Sequence, residues 1–204
     1  MYNFCLRRAH SLIGFLLGVF LIKHILMVLM VFSGAACFDF FIGLGRIFPG
    51  KLQLGMEWAL VILPLLFHAI YGISIGWQAK NNAFSYRTVT NWQFTLQRWS
   101  AWVILLFLLD HVTFFGAIVP LNGIPMDYGF LQHSVQDPMY FSIYLVGMLA
   151  AIFHFFNGVT TFGMTWGIFQ GPRCQKVVNA ISMFLAFGAG CLVFMALLYL
   201  RYLG

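Results

Sequence analysis

Five apolar runs, each long enough to cross a bilayer as a helix and each closed by strong breakers, constrain this chain more than any other feature. About 20 helical residues span about 30 Å of hydrocarbon. The runs are Ala9–Phe32, Leu54–Gln78, Thr95–Val119, Met139–Thr165 and Val177–Leu200. Between them stand Phe48-Pro49-Gly50, Lys80-Asn81-Asn82, Pro120 with Asn122-Gly123 and Pro125, Asp137-Pro138, and Gly171-Pro172. Pro64 lies inside the second run and predicts a kink one turn before His68. Only 8% of the 204 residues are charged, against about 25% in soluble domains, so no large soluble domain fits beside the spans. The first run follows Arg7 and Arg8, contains Lys23 and His24, and lacks a small-residue cleavage site. It reads as a retained span and not as a signal peptide. The expected fold class is an all-α membrane protein, a five-helix transmembrane bundle forming a single domain over residues 1–204.

Lysines and arginines set the expected orientation. One side receives Arg7, Arg8, Lys80, Arg87, Arg173 and Lys176, with Arg98 just inside the third run. The other receives Arg46, Lys51 and Arg201. The loop from Pro120 to Pro138 carries only Asp127 and Asp137. The N-terminus is therefore expected in the cytoplasm and the C-terminus outside. The net charge of +6 comes largely from this asymmetry and gives no sign of nucleic acid binding. Cys5, Cys37, Cys174 and Cys191 are scattered singly. With no CxxC or CxxCH among them, an iron–sulfur cluster and covalent heme attachment are not expected. They read as buried small hydrophobes. His133, in the acidic loop, reads as a surface residue.

Two stretches echo one another: LFHAIYG (Leu66–Gly72) and IFHFFNG (Ile152–Gly158). Each places a histidine in an apolar run with a glycine four residues later. Four of the five runs carry such a histidine: His24, His68, His111 and His154. A lone membrane histidine could serve only to hydrogen-bond a neighbouring helix, but ionisable residues inside spans are costly and usually functional. At about 1.5 Å per residue, His24 and His111 lie roughly 22–24 Å from the cytoplasmic ends of their runs, and His68 and His154 roughly 15–16 Å. The four form two layers of two. Zinc usually takes four ligands, or three and a water. Heme iron takes two axial ligands, commonly imidazole. The expected metal ligands are thus His68 with His154 in an inner layer and His24 with His111 in an outer one. Gly72 and Gly158, one turn away on the same face, would clear space for the ring. Gly14 and Gly18 fit close helix packing better.

These residues resemble the membrane anchor of succinate dehydrogenases and fumarate reductases, in the form with one polypeptide, five helices and two hemes b. The resemblance covers nearly the whole chain. It rests on RRAHSLIG (Arg7–Gly14), IKHI (Ile22–Ile25), LPLLFHAIYG (Leu63–Gly72), AKNNA (Ala79–Ala83), NWQFTLQR (Asn91–Arg98), DHV (Asp110–Val112), IFHFFNG and TWGI (Thr165–Ile168). It implies two hemes b on the same two histidine layers and a bacterial cytoplasmic (inner) membrane location. It implies a flavoprotein (FAD) subunit and an iron–sulfur subunit on the cytoplasmic side, with menaquinone as the usual electron partner. Lys23 and Asp110, each directly before an outer-layer histidine, look unusual for that pattern. A step of about 100° per residue sends them to opposite sides, so no ion pair between them is expected. Lys23 would snorkel or meet a heme propionate, and Asp110 would meet a neighbouring helix.

Helical phase suggests further sites. His10 and Gln97 precede His24 and His111 by 14 residues, which returns each close to the same face. With Ser11 and Arg98 beside them, they are candidates for the surroundings of the inner heme and its propionates. Glu57 precedes His68 by 11 residues, within about 20° of the same face. It is the candidate for passing protons to quinone at the outer end. An acid at a helix N-terminus, favoured by the dipole, is the simpler reading of Glu57. Met1–Arg8, Lys80–Asn91 and Trp166–Lys176, short, basic and aromatic, form the expected docking face for the iron–sulfur subunit. Three other functions stay open: a diheme quinone-reactive anchor of a hydrogenase or formate dehydrogenase, a histidine-dependent proton-coupled transporter, and a structural anchor without heme.

Overall fold

The structure, a computed structural model, describes residues 2–45, 48–118 and 121–204. Its first helix, α1 (Tyr2–Leu29), runs on through a 3-10 turn, Met30–Ser33. After α2 (Ala35–Leu44) comes α3 (Gly50–Gln78), two α-helical segments, Gly50–Glu57 and Leu63–Gln78, joined by a π-turn at Trp58–Ile62. α4 (Val89–Thr113) passes into a second π-turn, Phe114–Ile118. α5 (Tyr128–Ser134), α6 (Pro138–Thr165) and α7 (Pro172–Tyr202) complete the chain. Five of these, α1, α3, α4, α6 and α7, are long and apolar enough to span a membrane.

The helices outrun the apolar segments that signal them, because main-chain hydrogen bonding continues into the interfacial layer. The breakers set the starts. Asp137 accepts from the N–H groups of Met139 and Tyr140 at 2.7 and 3.0 Å, and Pro138 needs no such partner. Gly171 takes φ +79°, open to glycine, and turns the chain into Pro172. Pro64 lies four residues after Leu60, inside the π-turn. Lacking an N–H and crowding that carbonyl, proline disrupts a regular α-helix, and the wider turn takes up the conflict. Four positions used in the sequence reading, Met1, Arg46, Val119 and Pro120, lie outside the described residues.

α6 packs along both α4 and α7, whereas α3 packs chiefly on α1. Val193, Ala196, Leu197 and Leu200 of α7 meet Ile152 and Tyr144 of α6 in one buried cluster. No residue of α3 is buried. The bundle is thus a pair, α1/α3, against a trio, α4/α6/α7. At the end rich in arginine and lysine, here the basic end, Arg8 donates to the Thr165 carbonyl at 2.7 Å and Gln93 to Asn179 at 3.0 Å. At the opposite, far end, α2 and α5 form a cap that the apolar runs did not signal. Asp39 of α2 accepts from the Tyr128 N–H at 2.7 Å, and Arg201 donates to the Val135 carbonyl at 2.9 Å. The cysteine expectation needs correction. Cys5 and Cys174 are exposed, because both lie in helix ends at the basic end, beyond the packed core. His133 is exposed, as expected.

Two imidazole pairs across the bundle as the candidate functional site

The four span histidines meet in two pairs, and each pair joins the α1/α3 pair to the α4/α6/α7 trio. His68 of α3 faces His154 of α6 with ring centroids 6.4 Å apart and planes at 84°. His24 of α1 faces His111 of α4 at 5.8 Å and 81°. All four rings are half-buried. Among the described residues, no three His, Cys, Asp or Glu side chains gather as a metal site.

Backbone carbonyls hold the inner pair. His68 Nδ1 donates to the His10 carbonyl at 3.2 Å. His154 Nδ1 donates to the Gln97 carbonyl at 3.1 Å. Ser100 Oγ lies 3.3 Å from the same nitrogen and itself donates to the Gln97 carbonyl at 3.0 Å. A proton fixed on Nδ1 leaves the Nε2 lone pair for a metal. The Gln97 side chain bridges the His154 carbonyl, at 3.1 Å, and Asn157 Nδ2, at 2.8 Å. The His10 ring stacks on His68, centroids 4.1 Å apart and planes within 5°.

The outer pair sits among aromatic rings. Phe107 and Phe115, one turn before and after His111 on α4, lie at 5.3 Å from its ring. Phe20 stacks on His24 at 5.8 Å. The polar contact here is a side chain: His111 Nδ1 lies 3.3 Å from the Tyr144 hydroxyl. Asp110, directly before His111 on α4, is half-buried. Its Oδ2 is buried without a hydrogen-bond partner, while Lys23 is exposed. The two charges go to different surroundings, as their helical phases require.

Polar side chains stand beside Gly72 and Gly158 at ordinary contact distance. A Cβ would lie 3.4 Å from His10 Nε2 at Gly72 and 3.7 Å from Gln97 Nε2 at Gly158. The tight clearance is at Gly14, where a Cβ would stand 2.5 Å from His68 Cε1. Gly18 plays the same part for Phe155. Ser11 accepts from the Trp166 indole N–H at 3.2 Å and ties α1 to the end of α6. Arg98 turns back along its own helix, donates to the Phe94 carbonyl and lies over the Phe94 ring. His10 Nε2 and Arg98 Nε are both buried without partners.

Glu57 does not face the bundle interior. It is exposed and accepts from Gln53 Nε2 at 2.7 Å. The π-turn directly after it explains the change. One extra residue in the turn shifts the helical phase by about 100° between Glu57 and His68. Ser100, Tyr144 and Asn157 were not singled out from sequence. Asn157 stood in the second echo, a polar side chain mid-span, and was the one readable signal.

The Succinate dehydrogenase/Fumarate reductase transmembrane subunit family matches residues 78–197. The chain belongs to this family. The match takes in Gln97, His111, Tyr144 and His154 but neither His24 nor His68. The succinate dehydrogenase cytochrome b558 subunit of Bacillus subtilis (strain 168) is 34% identical over 184 residues, covering 90% of each chain. Family membership makes this a multi-pass transmembrane subunit associated with the succinate dehydrogenase and fumarate reductase enzymes.

Proposed function

We propose that the chain is the diheme cytochrome b anchor of a succinate:quinone oxidoreductase, with its basic end in the cytoplasm. The observation that carries this reading is the presence of two cross-helix imidazole pairs at metal-bridging distance. Two imidazoles on one metal, each bonded through nitrogen at about 2 Å, have centroids roughly 6 Å apart. The observed 6.4 and 5.8 Å fit, as does a donor set of two imidazoles and nothing else. The unpartnered His10 Nε2 and Arg98 Nε at the basic end suit an anionic group such as a propionate. His68 with His154, and His24 with His111, would hold two hemes b. When bound, these supply one-electron carriers between a cytoplasmic iron–sulfur subunit and menaquinone.

The chain's own residues do the rest. The His10 and Gln97 carbonyls orient the inner imidazoles and raise their basicity. Phe107, Phe115 and Phe20 keep water from the outer pair. Trp77, Phe84, Tyr86 and Val89, all strongly exposed beside Lys80 and Arg87, form with Arg8 and Arg173 the docking face for the iron–sulfur subunit, which the flavoprotein joins. At the far end, Glu57, exposed on its helix and held by Gln53, would exchange protons with quinone from the surface of the bundle. The decisive experiment is a reduced-minus-oxidised spectrum of the purified chain with a heme count. Two low-spin hemes b per chain are expected. A chain without heme, or with one heme that survives loss of His24, refutes the reading.

A further inference from the structure

We propose that Tyr144 is the positioning residue of the outer imidazole pair: its hydroxyl accepts the Nδ1 proton of His111 and so presents Nε2 toward His24. The inference rests on the diheme reading and concerns a residue outside the ligand set.

Three observations on α4 and α6 converge on it. Tyr144 is 6% exposed and belongs to the buried core of α6, so its hydroxyl has no bulk water to satisfy it. That hydroxyl lies 3.3 Å from His111 Nδ1. The ring is held from three sides, edge-on by Phe107 at 5.4 Å and Phe115 at 5.7 Å, and by stacking on Tyr140 at 6.2 Å. Phe107 in turn is seated against Gly147 of α6, where any Cβ would collide with its ring. The hydroxyl therefore stands at a fixed place on a rigid wall.

The inner pair shows what such a contact is for. There both imidazoles donate Nδ1–H to carbonyls of the main chain, His10 on α1 and Gln97 on α4. Among the described residues no main-chain carbonyl meets the His111 ring, and the Tyr144 hydroxyl is its hydrogen-bond partner. An oxygen accepting from the distal nitrogen fixes the tautomer and makes the coordinating nitrogen a stronger donor, which favours the oxidised metal. A phenol oxygen is a weaker acceptor than a main-chain amide oxygen, and a side chain can be exchanged where a main-chain carbonyl cannot. Tyr144 is thus the residue through which sequence sets the outer centre.

The test uses the full chain in its complex, comparing wild type, Tyr144→Phe and Tyr140→Phe. Phenylalanine keeps the ring and its packing and removes one oxygen. For Tyr144→Phe, both hemes stay bound, the outer heme's midpoint potential moves upward, its low-spin electron paramagnetic resonance signal shifts, and the inner heme's values stay at wild type. Selective loss of the outer heme, with the inner heme kept, also supports the assignment. Tyr140→Phe, which stacks on Tyr144 without touching His111, leaves both centres unchanged. Three results overturn the proposal: an outer potential and signal identical to wild type, equal shifts from both variants, or loss of both hemes from Tyr144→Phe, which marks a packing role. Absence of heme from the wild-type chain is a different result and removes the diheme reading itself.

Discussion

The two imidazole layers solve one problem with different materials. The inner layer is built on main chain and amide groups: two carbonyls orient the rings, and Gln97 and Asn157 link α4 to α6 behind them. The outer layer is built on aromatic rings, with a single phenol in place of carbonyls. Near the basic end, polar side chains such as His10, Gln97 and Ser100 can keep their hydrogen bonds and stay close to the interface. Deeper toward the far half, Phe20, Phe107, Phe115 and Tyr144 exclude water, and one polar contact suffices. The difference teaches that a histidine in a span gains its chemistry from what holds its second nitrogen.

The largest effect that tests this contrast is loss of a ligand. His68→Ala or His154→Ala is expected to remove the inner heme first, and His24→Ala or His111→Ala the outer one, read as a drop from two hemes to one per chain. If either replacement empties both layers equally, the layers are not separate units. The next effect separates the two ends by function. Glu57→Gln is expected to abolish quinone turnover while both hemes remain and succinate oxidation with a soluble dye continues. Surviving quinone activity would move the quinone site to the basic end, beside the inner layer.

A smaller effect tests how tightly α1 holds the inner layer. Gly14→Ala puts a methyl group into the His68 ring and is expected to cost about 1–3 kcal/mol, with a shifted inner-heme spectrum. Gly18→Ala makes a comparable clash with Phe155 and serves as its control. It should lower thermal stability in detergent and leave that spectrum alone. The smallest effect is at the amide bridge. Gln97→Leu removes the contacts to the His154 carbonyl and Asn157, worth about 1 kcal/mol in a bundle of this kind. A lower unfolding temperature with an unchanged outer centre is expected, and a change confined to the outer centre would contradict the division of the two layers.

The sequence alone determined the five spans, their order and the sorting of four histidines into two layers. It could do so because each depends on a quantity that runs along the chain: apolar length, breaker position and about 1.5 Å of rise per residue. His10 and Gln97 were legible for the same reason, since their phase is counted along unbroken α-helix. Glu57 was misread because the count crossed the π-turn at Trp58–Ile62, and a local change of helical pitch leaves no mark on hydropathy. The cap formed by α2 and α5 was missed because it is held by contacts between distant segments, Asp39 with Tyr128 and Arg201 with Val135. Only the tertiary structure decided which glycine gives His68 its room and which oxygen meets each imidazole. Those facts depend on where a second helix places its atoms, to within an ångström, and no periodicity within one helix encodes that distance.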